Sequence, residues 1–341
     1  MIEFVVKKEF EGCRLDKYIK AQGNETLYSR SLIEKLIQRD RVSVNSKSTI
    51  KCSHQVKTGD TVNVVIDKDF DAHKELPKKE FISLDVLYED EYLAIIDKPA
   101  GLTVHPAPGN YTGTLVNALL YHFDKNLSFT DSPTHENAIR PGIVHRLDKD
   151  TSGLMIITKD NKIHYEMSKL FANREVFKSY FCLCMGVPAP LNGVIDLPIG
   201  RNKNDRKKMA IASEGKNAIS YYQTIVDGEY FAAIEVKIET GRTHQIRVHF
   251  DAIGHPILGD STYNTLNRAL NSVPQNKQKS LRHFLTKSLK RQALHAWKIR
   301  FTHPVTKKEL EFIADIPKDL TGALAFLKEN FEHETIKCET W

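Results

Sequence analysis

The chain has 341 residues, of which 41% are hydrophobic and 27% are charged, as expected for a globular protein with two domains. No apolar run approaches the roughly 18–20 residues that cross a bilayer, and Met1–Lys8 lacks the pattern of a signal peptide. We therefore expect a cytoplasmic chain without a membrane partner. The five cysteines are an odd number without Cys-x-x-Cys spacing, which favours a reducing compartment and argues against a zinc site.

The positive charge of the chain is unevenly distributed. Residues 1–66 contain 12 Lys and Arg against 8 Asp and Glu, and residues 261–308 contain 11 Lys and Arg and no acid. Local basic surfaces on a chain with a net charge of only +6 indicate a polyanionic partner. Ordinary solvated basic faces would have the same composition.

Residues 13–66 have the pattern of a small α/β module. Apolar spacing predicts helices at 14–19 and 31–37, and alternation predicts strands at 41–45 and 61–66. This order resembles the S4-like RNA-binding domain, although Ser46 stands where that domain usually has glycine. The resemblance implies that basic residues of the second helix and its flanks face RNA rather than simply being solvated: Arg30, Lys35, Arg39 and Arg41. The polar residues 67–80 are expected to form a linker.

The large domain is expected over residues 81–320. A hairpin is predicted from strands at 85–88 and 92–96, and a helix is predicted at 113–123. The tail, residues 321–341, is expected to form a helix followed by a loose end.

The most informative stretch is Gly142–Leu154. Ile143 and Val144 predict a strand that enters a polar loop, residues 151–153 supply turn chemistry, and an apolar run leaves the loop as a second strand. Crowded ionisable residues in a loop are usually solvated. The sequence of residues 145–154, His-Arg-Leu-Asp-Lys-Asp-Thr-Ser-Gly-Leu, however, resembles the signature of the RluA/RluD family of RNA pseudouridine synthases. The resemblance implies that Asp148 is catalytic.

Three further motifs carry the same resemblance. The turn around Lys98 matches a motif that lines the family's active-site cleft, which makes Lys98 a candidate RNA-binding residue, although a structural role is equally open. A Lys-x-Tyr motif in a predicted strand ends at Tyr180, and only the resemblance separates this tyrosine from an ordinary core aromatic. The motif Gly-Arg-Thr-His-Gln-Ile-Arg contains Arg242, which is expected to bind RNA, and ends at Arg247, which is expected to assist catalysis.

The remaining patterns predict a mixed α+β fold. A helix is expected at 163–171, strands at 175–186, 221–226, 230–238 and 293–301, and a basic loop at 201–209. The resemblance implies a large, mainly antiparallel, bent sheet with RNA in a central cleft.

The expected chemistry requires no cofactor. Isomerisation of uridine breaks the N1–C1′ bond, rotates the uracil and rejoins it through C5, so no redox change is involved. A carboxylate near C1′ and C2′ acts either as nucleophile or as base, and the sequence leaves both roles open. Burial opposes ionisation of Asp148, and the guanidinium of Arg247 would counteract it. Tyr180 would stack on the uracil, and Arg146 would fill the position of the flipped nucleotide.

The resemblance implies a monomeric enzyme acting on large-subunit ribosomal RNA or a pre-ribosomal particle, with transfer RNA as the alternative. A non-catalytic RNA-binding assembly factor would need the basic faces but not Asp148. A glycosidase would need a second carboxylate, for which Asp150 is the only near neighbour. His244 and His249 lack a third ligand, so no metal site is expected.

Overall fold

One hydrophobic core lies within residues 2–66, and the other cores lie C-terminal to residue 81 in the computed structural model of the chain. The structure describes residues 2–24, 27, 30–48, 51–66, 77–106, 112–124, 127–128, 141–205 and 208–331, without the side chains of residues 30–32 and 35.

Residues 2–66 form an antiparallel sheet covered by two helices. Its strands are β1 (Ile2–Val5), β2 (Val42–Val44), β3 (Lys47–Ser48) and β4 (Thr61–Val64), in the order β1-β4-β2-β3, and its helices are α1 (Leu15–Ala21) and α2 (Arg30–Gln38). Each helix buries residues at i, i+3 and i+4, as apolar helical spacing requires: Leu15, Tyr18, Ile19, Ile33, Leu36 and Ile37. The predicted helices are confirmed, and β1 extends this unit to the N-terminal side of residue 13.

The large sheet has nine strands within the described residues. They are β5 (Asp85–Glu89), β6 (Leu93–Lys98), β7 (Ser152–Thr158), β8 (Phe177–Met185), β9 (Asn192–Asp196), β12 (Ile219–Asp227), β13 (Phe231–Ile238), β14 (Leu294–Thr302) and β15 (Glu309–Ile313). Their order is β5-β6-β7-β14-β8-β13-β12-β9, with β15 on β14. The pairing of β14 with β7 is parallel and the other pairings are antiparallel.

Strand β7 crosses the middle of the sheet, and all seven of its residues are buried. Met155 and Ile157 enter the core on one face, whereas Leu154 and Ile156 enter the core on the other. Alternate side chains point to opposite faces of a strand, so a fully apolar strand requires cover on both faces. The predicted mainly antiparallel α+β fold is confirmed.

Six helices and a small hairpin complete the described fold. They are α3 (Leu115–Phe123), α4 (Asn161–Ala172), α5 (Gln245–Ala252), α6 (Leu266–Asn271), α7 (Gln275–Lys287), α8 (Lys318–Phe331) and the hairpin of β10 (Ile199–Arg201) with β11 (Met209–Ile211). The predicted basic loop joins β10 to β11, and residues 206–207 lie outside the described part. No helix in the described ranges is long and apolar enough to cross a bilayer.

Helix α8 changes the expected boundary of the tail. Leu320, Ala323, Leu327 and Phe331 are buried in the main core, so residues 321–331 belong to the large domain. Residues 332–341 lie outside the described part of the chain.

The strand prediction around Gly142–Leu154 was partly wrong. Ile143 makes one isolated bridge to Ile157 and does not lie in a strand, whereas Ser152 and Gly153 begin β7 instead of forming a turn. Gly153 has φ +116°, and a Cβ there would lie 2.3 Å from the carbonyl oxygen of Ala296. This glycine therefore permits the close approach of β14 to β7.

Candidate active site

The loop that precedes β7 carries Asp148, and its backbone is tied to several other segments. The carbonyl of Asp148 accepts a hydrogen bond from the backbone N–H of Thr151 at 3.2 Å. The carbonyl of Lys149 accepts from the backbone N–H of Gly101 at 2.9 Å. These bonds hold the loop in one conformation before any substrate binds, which favours precise placement of the Asp148 carboxylate.

Lys98 supports this loop from inside the protein. It is fully buried, and its Nζ donates to the carbonyls of Pro99, Leu102 and Lys149 at 2.8, 3.0 and 3.1 Å. Burial lowers the pKa of Lys98 to about 8, against the opposing attraction of Asp150. The prediction that Lys98 binds RNA was therefore wrong, because an ammonium group with three internal carbonyl partners does not reach a ligand.

Arg291 ties the other end of the loop to α8 and β14. Its Nη1 donates to the carbonyl of Asp150 at 3.2 Å and to that of Leu294 at 3.1 Å. Its Nε and Nη2 bind the carboxylate of Asp319 at 2.6 and 2.9 Å. The planar guanidinium thereby joins three segments at fixed angles, which a lysine in the same place would not do.

Asp148 and Arg247 meet in the structure, as the resemblance implied. Nη1 of Arg247 donates to Oδ2 of Asp148 at 2.9 Å, while its Nε and Nη2 donate to the two carboxylate oxygens of Asp260 at 2.6 and 2.8 Å. Asp260 is fully buried and also accepts the backbone N–H groups of Thr262 and Tyr263. One guanidinium therefore holds two carboxylates, a buried one that orients it and a partly exposed one that faces the pocket.

The charge of Arg247 is stabilised by these partners. Burial by itself would lower the pKa of Arg247, but the hydrogen bonds and charges of Asp260, followed by those of Asp148, raise it above its ordinary value. The side chain of Asp148 is 20% exposed, so it is accessible from the pocket. The guanidinium of Arg247 forms an ion pair with this carboxylate at 2.9 Å.

A tight turn before α5 places further polar groups in the site. His244 is the N-cap of α5 and has φ 56°, an uncommon conformation for a residue other than glycine. Oε1 of the buried Gln245 accepts from the backbone N–H of Arg242 at 3.0 Å and from Oγ1 of Thr240 at 2.7 Å. These bonds stabilise the turn and fix the direction in which α5 presents Arg247.

His244 lies beside Asp148 without forming a hydrogen bond to it. Its Nε2 is 3.9 Å from Oδ2 of Asp148, and its Nδ1 shares a 2.9 Å hydrogen bond with the hydroxyl of Tyr263. Burial lowers the pKa of His244, although the nearby Asp148 opposes this shift. His249, the other member of the predicted pair, instead contacts Ser220 and the carbonyl of Leu197, so the two rings do not share a site.

Tyr180 forms one wall of an open pocket that is also lined by Asp148 and Arg247. Its side chain is 8% exposed, and burial, with a smaller effect of Asp148, raises its pKa, so the phenol stays neutral. Ile238 and Leu294 add apolar surface to the same pocket. An aromatic ring beside a carboxylate suits a flat, polar base better than a purely charged ligand.

The predicted RNA-binding residues lie in two places. Arg146 and Arg242 line the pocket and are exposed, and Nε of Arg242 donates to the carbonyl of Asn217 at 3.0 Å. Arg39 and Arg41 are exposed at the end of α2 and before β2. The side chains of Arg30 and Lys35 lie outside the described part of the chain.

Two residues of this site had no predicted role. Asp260 is the last acidic residue before residues 261–308, which are all basic or neutral. This position was the only feature of the local sequence that could have indicated a role for Asp260. Arg291 lies within the same stretch and resembles any other basic residue there. Asp260 is identified by its contact with Arg247 on α5, and Arg291 by its contacts with the Asp148 loop and α8.

Comparisons with known proteins agree with this geometry. A family model described as RNA pseudouridylate synthase matches residues 92–252. An uncharacterized RNA pseudouridine synthase of Chlorobaculum parvum is 42% identical over 311 residues, which cover 90% of this chain and 91% of the relative. The ribosomal large subunit pseudouridine synthase D of Zymomonas mobilis is 38% identical over 323 residues, which cover 93% of this chain and 95% of the relative.

Among solved structures, human RNA Pseudouridylate Synthase Domain Containing 4 is similar to this chain with a TM-score of 0.51 and 26% identity. The match covers 72% of this chain and 93% of the human protein.

Proposed function

This chain belongs to the RluA/RluD family of RNA pseudouridine synthases, and from that premise we propose that it acts on large-subunit ribosomal RNA with Asp148 as the catalytic residue. It is an isomerase that converts uridine in RNA to pseudouridine. The name of the Zymomonas mobilis relative supports the choice of ribosomal RNA. The S4-like module of residues 13–66, followed by a linker, is part of the same proposal.

The main observation that supports a catalytic role for Asp148 is its 2.9 Å hydrogen bond from Arg247 in the pocket lined by Tyr180. Oδ2 accepts this bond, whereas Oδ1 accepts no hydrogen bond from the described residues. Oδ1 is therefore the oxygen that is available to the sugar of a bound nucleotide. The carboxylate also keeps its orientation, because Asp260 holds the guanidinium from the other side.

Two routes are compatible with this arrangement. In the first, Oδ1 of Asp148 attacks C1′ and the uracil leaves with the N1–C1′ electron pair. After the base has rotated, C5 attacks C1′, the carboxylate leaves with the C1′–O electron pair, the C5 proton is released to solvent and N1 takes up a proton. In the second, Asp148 takes the C2′ proton as N1 leaves with the N1–C1′ electron pair, which produces a glycal, and returns that proton to C2′ when C5 bonds to C1′. C5 then releases its proton to solvent and N1 takes up a proton.

The other pocket residues have supporting roles in this proposal. Tyr180 stacks on the uracil and limits its motion during rotation. Arg146 occupies the position that the flipped nucleotide leaves, which offsets part of the few kcal/mol that flipping costs. Arg242 contacts backbone phosphate, since it is exposed at the rim and its guanidinium has donors beyond its bond to Asn217.

The test is the variant Asp148→Asn, which keeps the shape of the side chain but removes its charge. On large-subunit ribosomal RNA transcripts labelled with tritium at uridine C5, we expect no tritium release and an RNA affinity within about threefold of wild type, because uncharged Asn neither attacks C1′ nor accepts the C2′ proton. Tritium release at the wild-type rate would contradict the assignment of Asp148.

The RNA target is tested separately in cells. Pseudouridines are mapped in total RNA from a deletion strain that carries either the wild-type gene or the Asp148→Asn variant. We expect sites in large-subunit ribosomal RNA to be lost in the variant strain. Loss confined to transfer RNA would refute the proposed substrate while leaving the role of Asp148 intact.

A further inference from the structure

Helix α7 has a basic face that the pocket chemistry does not use. The helix lies between Asp260, which orients Arg247, and Arg291, which binds the carbonyl of Asp150. Both connections of the α6–α7 segment to the rest of the fold are therefore next to the active site. The backbone at Gly259 also lies close to that of Arg291, since a Cβ at Gly259 would lie 2.2 Å from the carbonyl oxygen of Arg291.

The two sides of α7 differ sharply in composition. Leu281 and Phe284 are buried in the main core, and the Phe284 ring stacks on Phe326 of α8 at 4.2 Å. The opposite side, which we call the outer face, consists of exposed residues at helical spacing and in the turn that follows the helix: Lys279, Arg282, His283, Lys287 and Lys290. Packing against the core therefore accounts for Leu281 and Phe284 on the inner side of α7, but not for the basic residues of the outer face.

The charges of the outer face have no internal function. Within the described part of the chain, none of these five side chains forms an ion pair, and residues 261–308 contain no acid. Other cations of the segment behave differently. Lys277 donates to the carbonyl of Asn330, and Arg268 pairs with Asp251. A row of unneutralised cations on one helix repels itself, so a polyanion bound along it would be stabilised.

The position of the outer face indicates which polyanion fits. Its C-terminal end, Lys290, immediately precedes Arg291 in the chain, and the Arg291 guanidinium binds the carbonyl of Asp150 in the loop that carries Asp148. From there the 13 residues of α7 extend for roughly 20 Å at 1.5 Å per residue. That length follows several consecutive phosphates of a nucleic-acid backbone. The absence of aromatic residues on this face argues against stacking on single-stranded bases.

We propose that the outer face of α7 binds the phosphate backbone of a double-helical RNA stem that flanks the target uridine. This inference rests on the proposed function, because it assumes that the pocket beside Asp148 receives a nucleotide of the same RNA. The contacts involve phosphates only, so they position the stem and do not read its sequence.

The test removes three charges from the outer face with Lys279→Gln, Lys287→Gln and Lys290→Gln in one variant. A matched control removes three charges from exposed lysines elsewhere, with Lys162→Gln, Lys307→Gln and Lys308→Gln. Both variants have the same net charge, so a general electrostatic effect changes them equally. Exposed substitutions of this kind change stability little, which circular dichroism and thermal melting verify.

The first readout is the Kd for a 20-base-pair RNA duplex of arbitrary sequence, measured between 50 and 300 mM KCl. Each lost phosphate contact reduces the slope of log K against log salt by about 0.9, so we expect the outer-face variant to lose roughly two to three units of slope and at least tenfold in affinity at 100 mM KCl. The control should keep the wild-type slope. Equal slopes for the two variants, or an unchanged slope in both, would overturn the proposal.

The second readout is tritium release from large-subunit ribosomal RNA labelled at uridine C5. We expect KM to rise at least tenfold in the outer-face variant while kcat stays within about twofold, since α7 does not touch the reacting atoms. A fall in kcat with unchanged KM would also refute the proposal. Absence of release by the wild-type enzyme would instead contradict the proposed substrate, and the duplex measurement would still decide the role of α7.

Discussion

Replacement of Arg247 by lysine tests whether the site needs a guanidinium or only a positive charge. Arg247 makes three charged hydrogen bonds, one to Asp148 and two to Asp260, within 2.6–2.9 Å. Its side chain is 7% exposed, so water does not replace bonds that are lost. A lysine Nζ is a single point, and it lacks the fork that reaches both carboxylates at once.

The expected size of the effect follows from the bonds that a lysine cannot make. Asp260 is fully buried, so the ammonium stays with it and the bond to Asp148 is lost. A hydrogen bond to a charged group contributes about 1.5–3 kcal/mol. If that bond orients Asp148 in the transition state, its loss lowers kcat roughly 10- to 150-fold. Loss of one bond to Asp260 lowers the free energy of unfolding by a similar 1.5–3 kcal/mol.

The assay is tritium release from RNA labelled at uridine C5, at saturating RNA, with urea unfolding of the same preparations. Arg300→Lys is the control, because Arg300 is an exposed arginine on β14 whose loss should change neither quantity. A kcat for Arg247→Lys within twofold of wild type, in a protein that is destabilised as expected, would show that charge balance alone is sufficient. The reasoning about the guanidinium fork would then be refuted.

Three further outcomes concern the scaffold of the site. Lys98→Met removes one hydrogen-bond donor from each of three carbonyls, of which that of Lys149 keeps its bond from the Gly101 N–H, so we expect urea unfolding to show a loss of about 2–5 kcal/mol, whereas Lys149→Met, at an exposed side chain, should stay near wild type. Gly153→Ala places a Cβ against the β14 backbone and should cost more than about 3 kcal/mol, while Gly322→Ala, in open space on α8, should be neutral or stabilising; equal melting temperatures would contradict this. Burial lowers the pKa of His295 to about 4, so between its unfolded value near 6.5 and pH 4 the unfolded chain binds a proton that the folded chain does not. The contribution of His295 to stability should therefore be constant above about pH 6.5 and fall by about 2 kcal/mol by pH 5, and His295→Gln should remove that part of the pH dependence in urea titrations.

Local patterns predicted most of the elements around the site. The apolar spacing of Leu15, Tyr18 and Ile19 predicted α1, and the alternation at β13 and the apolar run of β7 predicted strands, because each of these patterns depends only on which faces are buried. The prediction of a turn at Ser152 and Gly153 was wrong for a physical reason. Glycine is typical of turns, but here it permits contact with β14, a strand that lies more than 130 residues later in the chain.

Roles of individual polar residues were harder to predict than elements. Lys98 is a charged residue in a turn whose motif predicted contact with a ligand. It is nevertheless fully buried and stabilises the loop that carries Asp148. Asp260 was given no role, yet it orients Arg247. A charged side chain is either exposed or internally paired, and its neighbours in the sequence do not decide between these states when the partner comes from another segment.

The sequence by itself determined the family of this protein and its mixed α+β class, and it indicated Asp148 as the candidate catalytic carboxylate, because these follow from contiguous residues such as His145–Leu154 and from local periodicity. Only the tertiary structure decided that one guanidinium joins Asp148 to Asp260 and that Lys98 faces inward. Asp148 and Arg247 are 99 residues apart, and a 2.9 Å hydrogen bond between them exists only after the sheet has brought their segments together.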